Sequence, residues 1–152
     1  MESRGFLLRQ GHRLLQIGVS LLLLTSFEGF AIPYFRVPRL ALSAHSLCAL
    51  VAVLLIGLGV AWNKLTLETR ASKIAFWCLT YSSFAIIAAY IIAGALGAGS
   101  TTMAQAAGSA HGTPFQETLI KVVSYSSAPT GIISFALILW GLRRPVPDSP
   151  EE

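Results

Sequence analysis

Charge is what this chain has least of. Asp, Glu, Lys and Arg together make up 12% of its 152 residues, about half of what a soluble globular domain carries. Acidic residues are the scarcer sign, seven against 11 Lys and Arg, for a formal net charge of +4. Cysteine is nearly absent. Cys48 and Cys78 both fall inside apolar stretches and form no CxxC or zinc-type spacing, which excludes a disulfide scaffold and a structural zinc site. Buried thiols of this kind behave as small hydrophobes. The chain also lacks a glycine-rich phosphate loop, a supported Ser/His/Asp arrangement, paired carboxylates within one helix and any internal repeat. Its basic residues are not interleaved with aromatics in a stripe, so nucleic acid is excluded as a partner.

What the chain does have is hydrocarbon, 54% of its residues. It is gathered into four runs, Leu14 to Ile32, Ala41 to Trp62, Ile74 to Leu96 and Leu119 to Leu142. A helix needs roughly 20 apolar residues to cross a bilayer, and each run reaches that length. The sequence therefore predicts an all-α, integral membrane four-helix bundle, a single domain over residues 1–152 that leaves almost nothing for a soluble unit. Only helices and closed barrels satisfy their backbone in lipid, and four such runs read as helices. The first run is long and is not followed by a small-residue cleavage site, so it reads as the first helix and not as a cleavable signal. The connections are short except for a segment rich in Gly, Ala, Ser and Thr, the loop 97–116. The acidic, proline-containing tail 145–152 reads as a flexible terminus. In the fourth helix, Pro129 should kink or loosen the backbone, with Ser124, Ser126 and Ser127 placed to rebond freed carbonyls or to face a neighbour.

Lysine and arginine set the orientation, because cytoplasmic loops retain positive charge. With four spans, both termini share a side with the middle loop. That side holds Arg4, Arg9, Arg13, Lys64, Arg70, Lys73, Arg143 and Arg144, eight residues against Arg36, Arg39 and Lys121 on the other. Both termini are expected in the cytoplasm, and the localisation expected is a bacterial inner membrane.

This topology sorts the polar residues by depth. Glu28 lies near the outer end of the first helix, His45 near the outer start of the second, and Glu117 and Lys121 at the outer start of the fourth. Together with the long loop they are placed to line one cavity in the outer half of the bundle. Glu117 and Lys121, spaced i, i+4, share a helical face and are expected to pair near the interface. His12 and His111 are expected to be solvated.

His45 is the most informative of these residues. An imidazole within an apolar span is functional by default. On its own helical face it is followed by Cys48, Ala49 and Ala52, all small. Small neighbours suit close helix packing, and they also leave room for a flat, bulky cofactor. One imidazole suffices as an axial ligand to haem, and Arg36 and Arg39 would then be placed to meet its propionates.

At this point the residues carry a resemblance. The stretch Val37-Pro-Arg-Leu-Ala-Leu-Ser-Ala-His45, the segment Gly59-Val-Ala-Trp62, then Lys73-Ile-Ala-Phe-Trp77, Gly112-Thr-Pro-Phe-Gln-Glu117 and Leu139-Trp-Gly-Leu-Arg143 resemble, in this order, the hydroxylaminobenzene mutases. These are small four-helix membrane isomerases that convert an aryl hydroxylamine to an aminophenol. The chain is more distantly similar to the styrene oxide isomerases, which turn an aryl epoxide into an aldehyde. The resemblance implies haem b as cofactor, with His45, in Ala44-His45-Ser46, as the iron ligand. It also implies a homotrimer, a small aromatic substrate, and a substrate-positioning role for Tyr90 on the third helix. The substrate pocket it implies includes Cys48, Val51 and Ile86, to which the helix topology adds Glu28 and Glu117. Both families carry asparagine six residues after the histidine, where this chain has Val51, and a second asparagine where it has Ile86; the mutases' acidic residue three after the histidine is Cys48 here. Neither Val51 nor Ile86 can donate or accept a side-chain hydrogen bond, so the polar half of that pocket is hydrocarbon.

Three readings follow. The first is a haem-dependent isomerase of aryl hydroxylamines or related aryl epoxides. The second, favoured by Val51 and Ile86, is a haem-binding membrane protein without that activity. The third is a small proton-coupled exporter built on Glu28, although that residue lies near a helix end and not at the midplane, where coupling sites usually sit.

Overall fold

The computed structural model describes residues 2–143, so Met1, Arg144 and the tail 145–152 lie outside the described residues. The described chain is all helical, in the order α1 (Glu2–Ala31), α2 (Pro38–Ala61), α3 (Thr69–Leu96), a single turn α4 (Ala104–Ala107) and α5 (Pro114–Gly141), with 3-10 turns at Ile32–Tyr34 and Trp62–Lys64. Four of these helices are long and apolar enough to span a membrane. Each starts before its apolar run does. The clearest case is α1, which begins at Glu2 although the hydrocarbon begins at Leu14, about three turns later. Backbone hydrogen bonding continues past the point where side-chain hydropathy ends.

Local chemistry sets the ends. Pro38 and Pro114 sit in the first turns of α2 and α5, where their missing N–H costs nothing. Thr113 and Gln116 form a reciprocal capping box at the start of α5, satisfying two orphan amides. Gly97 ends α3 in the left-handed conformation, φ +68°, which favours glycine. Helix α5 runs on through Pro129. The nearby hydroxyls are spent locally: Ser126 donates to the Val123 carbonyl, Ser127 to Ser124, and Thr130 to Ser126 and Ser127.

The bundle is two antiparallel hairpins, α1 on α2 and α3 on α5, joined chiefly through α2 and α3. The α1–α2 seam is closed by glycine. A Cβ at Gly11 would lie 2.7 Å from the Gly59 carbonyl oxygen, one at Gly59 2.9 Å from that of Gly11, and one at Gly18 2.8 Å from that of Ala52. Small residues let membrane helices approach this closely, and the contact fixes the register of the two helices. Where α1 begins and α2 ends, a buried polar knot ties three elements together: Trp62 Nε1 donates to Gln10 Oε1 at 3.1 Å, and Ser72 Oγ donates to the same oxygen. Large apolar side chains such as Leu23, Phe27, Phe30, Leu50, Val53, Trp77, Val122, Ile132 and Leu139 point outward. A surface of this kind suits the lipid of a membrane.

Candidate functional site

The polar residues in the half of the bundle away from the chain's first residues fall into two groups, each with its own surroundings. The first group lies in the α1–α2 seam. Glu28, one turn before the end of α1, is 7% exposed, and neither carboxylate oxygen has a hydrogen-bond partner. His45, two turns into α2, is half-buried, and its Nδ1 is enclosed without a partner. The imidazole packs over Gly29, where a Cβ would lie 3.4 Å from His45 Cε1. Glu28 adjoins Gly29 in sequence, so carboxylate and imidazole share this stretch of the seam. Around them, Thr25 donates to the Leu21 carbonyl at 2.8 Å and Cys48 Sγ to the same oxygen at 3.6 Å. Cys48 and Val51 are buried in the main apolar core, and Ile86 packs against it.

The second group holds the long loop. Glu117 Oε1 accepts from the backbone N–H groups of Gly99 (2.9 Å), Ser100 (3.3 Å) and Gly112 (3.0 Å), and its Oε2 from Thr101 N–H (3.2 Å) and Thr101 Oγ1 (3.0 Å). The anticipated Glu117–Lys121 pair gives way to this arrangement: a carboxylate offered a cluster of converging donors uses them, and the Lys121 ammonium lies 5.8 Å over the Tyr125 ring instead. Tyr90 is half-buried and packs against the second apolar cluster, Leu40, Ala89, Ala93, Ala98, Met103, Ala107 and Ile120, beneath the loop.

Arginine reaches the loop from the other side. Arg36 donates to the Leu96 carbonyl at 3.4 Å and Arg39 to that of Gln105 at 3.1 Å, both guanidinium groups remaining exposed. Arg39, Leu42 and Ser43 of α2 face Gln105 and Ala106 of α4 across a cleft of about 320 Å³. Leu42 is one turn outward of His45 on the same side of α2, so the cleft and the imidazole succeed each other along one face. Gly29, Thr25 and Gln105 are members of this region that sequence reasoning missed. Only Gly29, a glycine inside a helix beside the lone acid, left a trace of its role.

Among the described residues no three His, Cys, Asp or Glu side chains gather to hold a bare ion. The donor set is a single imidazole at the edge of the bundle, with Gly29 and Ala49 as small neighbours and cationic groups outward of it. That suits a group whose metal arrives already chelated, such as haem, which asks the protein for one axial ligand and for partners to its carboxylates.

Comparison with known proteins points to the same family as the motifs. The family model described as styrene oxide isomerase matches residues 10–143. The hydroxylaminobenzene mutase HabB of Ectopseudomonas oleovorans is 41% identical over 131 residues, covering 86% of this chain and 80% of that protein. No solved structure matches. An isomerase-family match across nearly all of the helical bundle, on a chain with four membrane-length helices, identifies an integral membrane protein of isomerase type: the chain belongs to the styrene oxide isomerase family.

Proposed function

We propose that this protein is a haem-dependent membrane isomerase that rearranges an aryl hydroxylamine to an aminophenol, with aryl epoxides as the related substrate class. The observation that carries the reading is 41% identity to a hydroxylaminobenzene mutase over most of both chains, joined to a half-buried imidazole within a membrane span. His45 would hold the iron of haem b, and Arg36 and Arg39 would meet its propionates, at the expense of their present contacts with loop carbonyls. Bound there, haem supplies a Lewis-acidic iron for the substrate oxygen, and the rearrangement needs no net electron transfer.

The chain's own residues do the rest. Ile86, half-buried and backed by Cys48 and Val51 in the core, offers the aromatic ring an apolar surface that keeps bulk water from competing for the cationic ring that would form as the N–O bond weakens. Tyr90 orients the substrate oxygen through its hydroxyl. Glu117 holds the loop 97–116 over the outer end of the bundle through its contacts with Gly99, Ser100, Thr101 and Gly112. The enzyme acts as a homotrimer in the bacterial inner membrane with both termini cytoplasmic, and its outward apolar surface provides the faces that meet lipid and neighbouring copies.

The reading is tested by incubating detergent-purified, haem-supplied protein with hydroxylaminobenzene and assaying aminophenol. Conversion that is lost in His45→Ala supports it. A haem-loaded parent that converts neither the hydroxylamine nor styrene oxide would favour the second reading, a haem protein without this activity. The observation behind that reading is that Val51 and Ile86 bring no hydrogen-bonding group to the pocket.

A further inference from the structure

Three buried side-chain atoms among the described residues lack any hydrogen-bond partner: Glu28 Oε1, Glu28 Oε2 and His45 Nδ1. All three belong to one site. Two are acceptors, and the third is a ring nitrogen that donates when protonated. A carboxylate 7% exposed within a membrane span is costly unless a donor reaches it. The other candidate donors are already committed, since Thr25 and Cys48 both give their hydrogens to the Leu21 carbonyl. His45 remains, its ring packed over Gly29, the residue next to Glu28, but outside hydrogen-bond contact in the present rotamers. Gly29 puts no side chain beneath the imidazole, the nearest ring atoms lying 3.4 and 3.8 Å from the position a Cβ would take there.

We infer that Glu28 is the hydrogen-bond partner of His45 Nδ1–H. The pair forms by rotation of the glutamate side chain or through one bridging water. It holds the imidazole in the Nδ1–H tautomer, turns the Nε2 lone pair away from the seam, and makes Nε2 a stronger ligand. Carboxylate partners of ligating histidines act in this way generally, and their loss typically weakens metal binding by about 10- to 100-fold. Glu28 is thus a positioning residue acting through His45. The pair itself stands on the atoms of this chain, whereas its effect on iron rests on the haem reading above.

The experiment uses ¹⁵N-histidine-labelled protein in detergent, without haem, as the parent, Glu28→Gln and Glu28→Leu, with His45→Ala to assign the signal. The parent should show His45 as the Nδ1–H tautomer with a strongly hydrogen-bonded proton. Glu28→Gln, which keeps an acceptor oxygen, should retain the tautomer, and Glu28→Leu should lose it. A His45 signal unchanged in folded Glu28→Leu would overturn the pair. Titration of the same proteins with haem supplies the second readout: affinity should fall about 10- to 100-fold in Glu28→Leu and far less in Glu28→Gln. Equal affinity in the parent and Glu28→Leu would overturn the positioning role. If no protein binds haem while the tautomer responds to Glu28→Leu, the pair is upheld and the haem reading alone fails.

Discussion

Removing the Glu117 carboxylate should release the outer loop while leaving the bundle folded. In Glu117→Ala the N–H groups of Gly99, Ser100, Thr101 and Gly112 and the hydroxyls of Ser100 and Thr101 all lose their acceptor. A hydrogen bond to a charged group contributes about 1.5–3 kcal/mol. The six are not additive, because one side chain serves them all and the half-exposed donors recover water when freed. A total of about 2–4 kcal/mol of local stability is the reasonable magnitude. Local opening of the segment from Gly99 to Gly112 then becomes about 30- to 1000-fold more populated. Hydrogen–deuterium exchange of the detergent-solubilised protein reads this directly: peptides covering 98–113 should exchange faster by that factor, while those from the cores of α1 and α2 should not change. Glu117→Gln, which keeps one acceptor oxygen, should fall between. Loop exchange within about threefold of the parent in Glu117→Ala would refute the view that this carboxylate organises the loop, since it would correspond to less than 1 kcal/mol.

Other expectations follow from the same structure. Gly18→Ala should destabilise the α1–α2 seam by about 1–3 kcal/mol, because the new methyl would lie 2.8 Å from the Ala52 carbonyl oxygen; thermal unfolding in detergent measures it, and an unchanged midpoint would contradict the seam. Gln10→Leu leaves Trp62 Nε1 and Ser72 Oγ without their common acceptor and should cost about 1–3 kcal/mol, read as a lowered unfolding midpoint. Tyr90→Phe should lower turnover about 10-fold or more while the haem spectrum stays as in the parent; an unchanged rate would remove Tyr90 from the mechanism.

The four long helices were legible because the bilayer makes a severe demand: an apolar run of this length has few ways to satisfy its backbone, and hydropathy alone locates it. The starts were less legible. The first three turns of α1 carry Arg4, Arg9 and Arg13, and hydropathy tracks lipid contact, not hydrogen bonding. The start of α5 was legible in principle, since Thr113 and Gln116 have capping-box spacing, but lying next to a Gly- and Ser-rich stretch they read as loop. The importance of His45 followed from one ionisable residue in hydrocarbon. Glu28 was visible as an unusual acid, whereas its place in the same seam as His45 was not. It depends on the register of α1 against α2, and that register is set at Gly11, Gly18 and Gly59, about three to five turns away. The Glu117 cluster was hidden for a similar reason. Helical spacing pointed to Lys121, and only the folded loop brings Gly99, Ser100, Thr101 and Gly112 together around the carboxylate.

The most direct test of the account is the absorption spectrum of the detergent-purified protein, oxidised and reduced, beside that of His45→Ala, with hydroxylaminobenzene conversion followed in the same samples. The account predicts a Soret band and aminophenol formation in the parent, both lost or greatly weakened in the variant. A parent that stays colourless after haem is supplied, or that keeps its Soret band unchanged in His45→Ala, would contradict it.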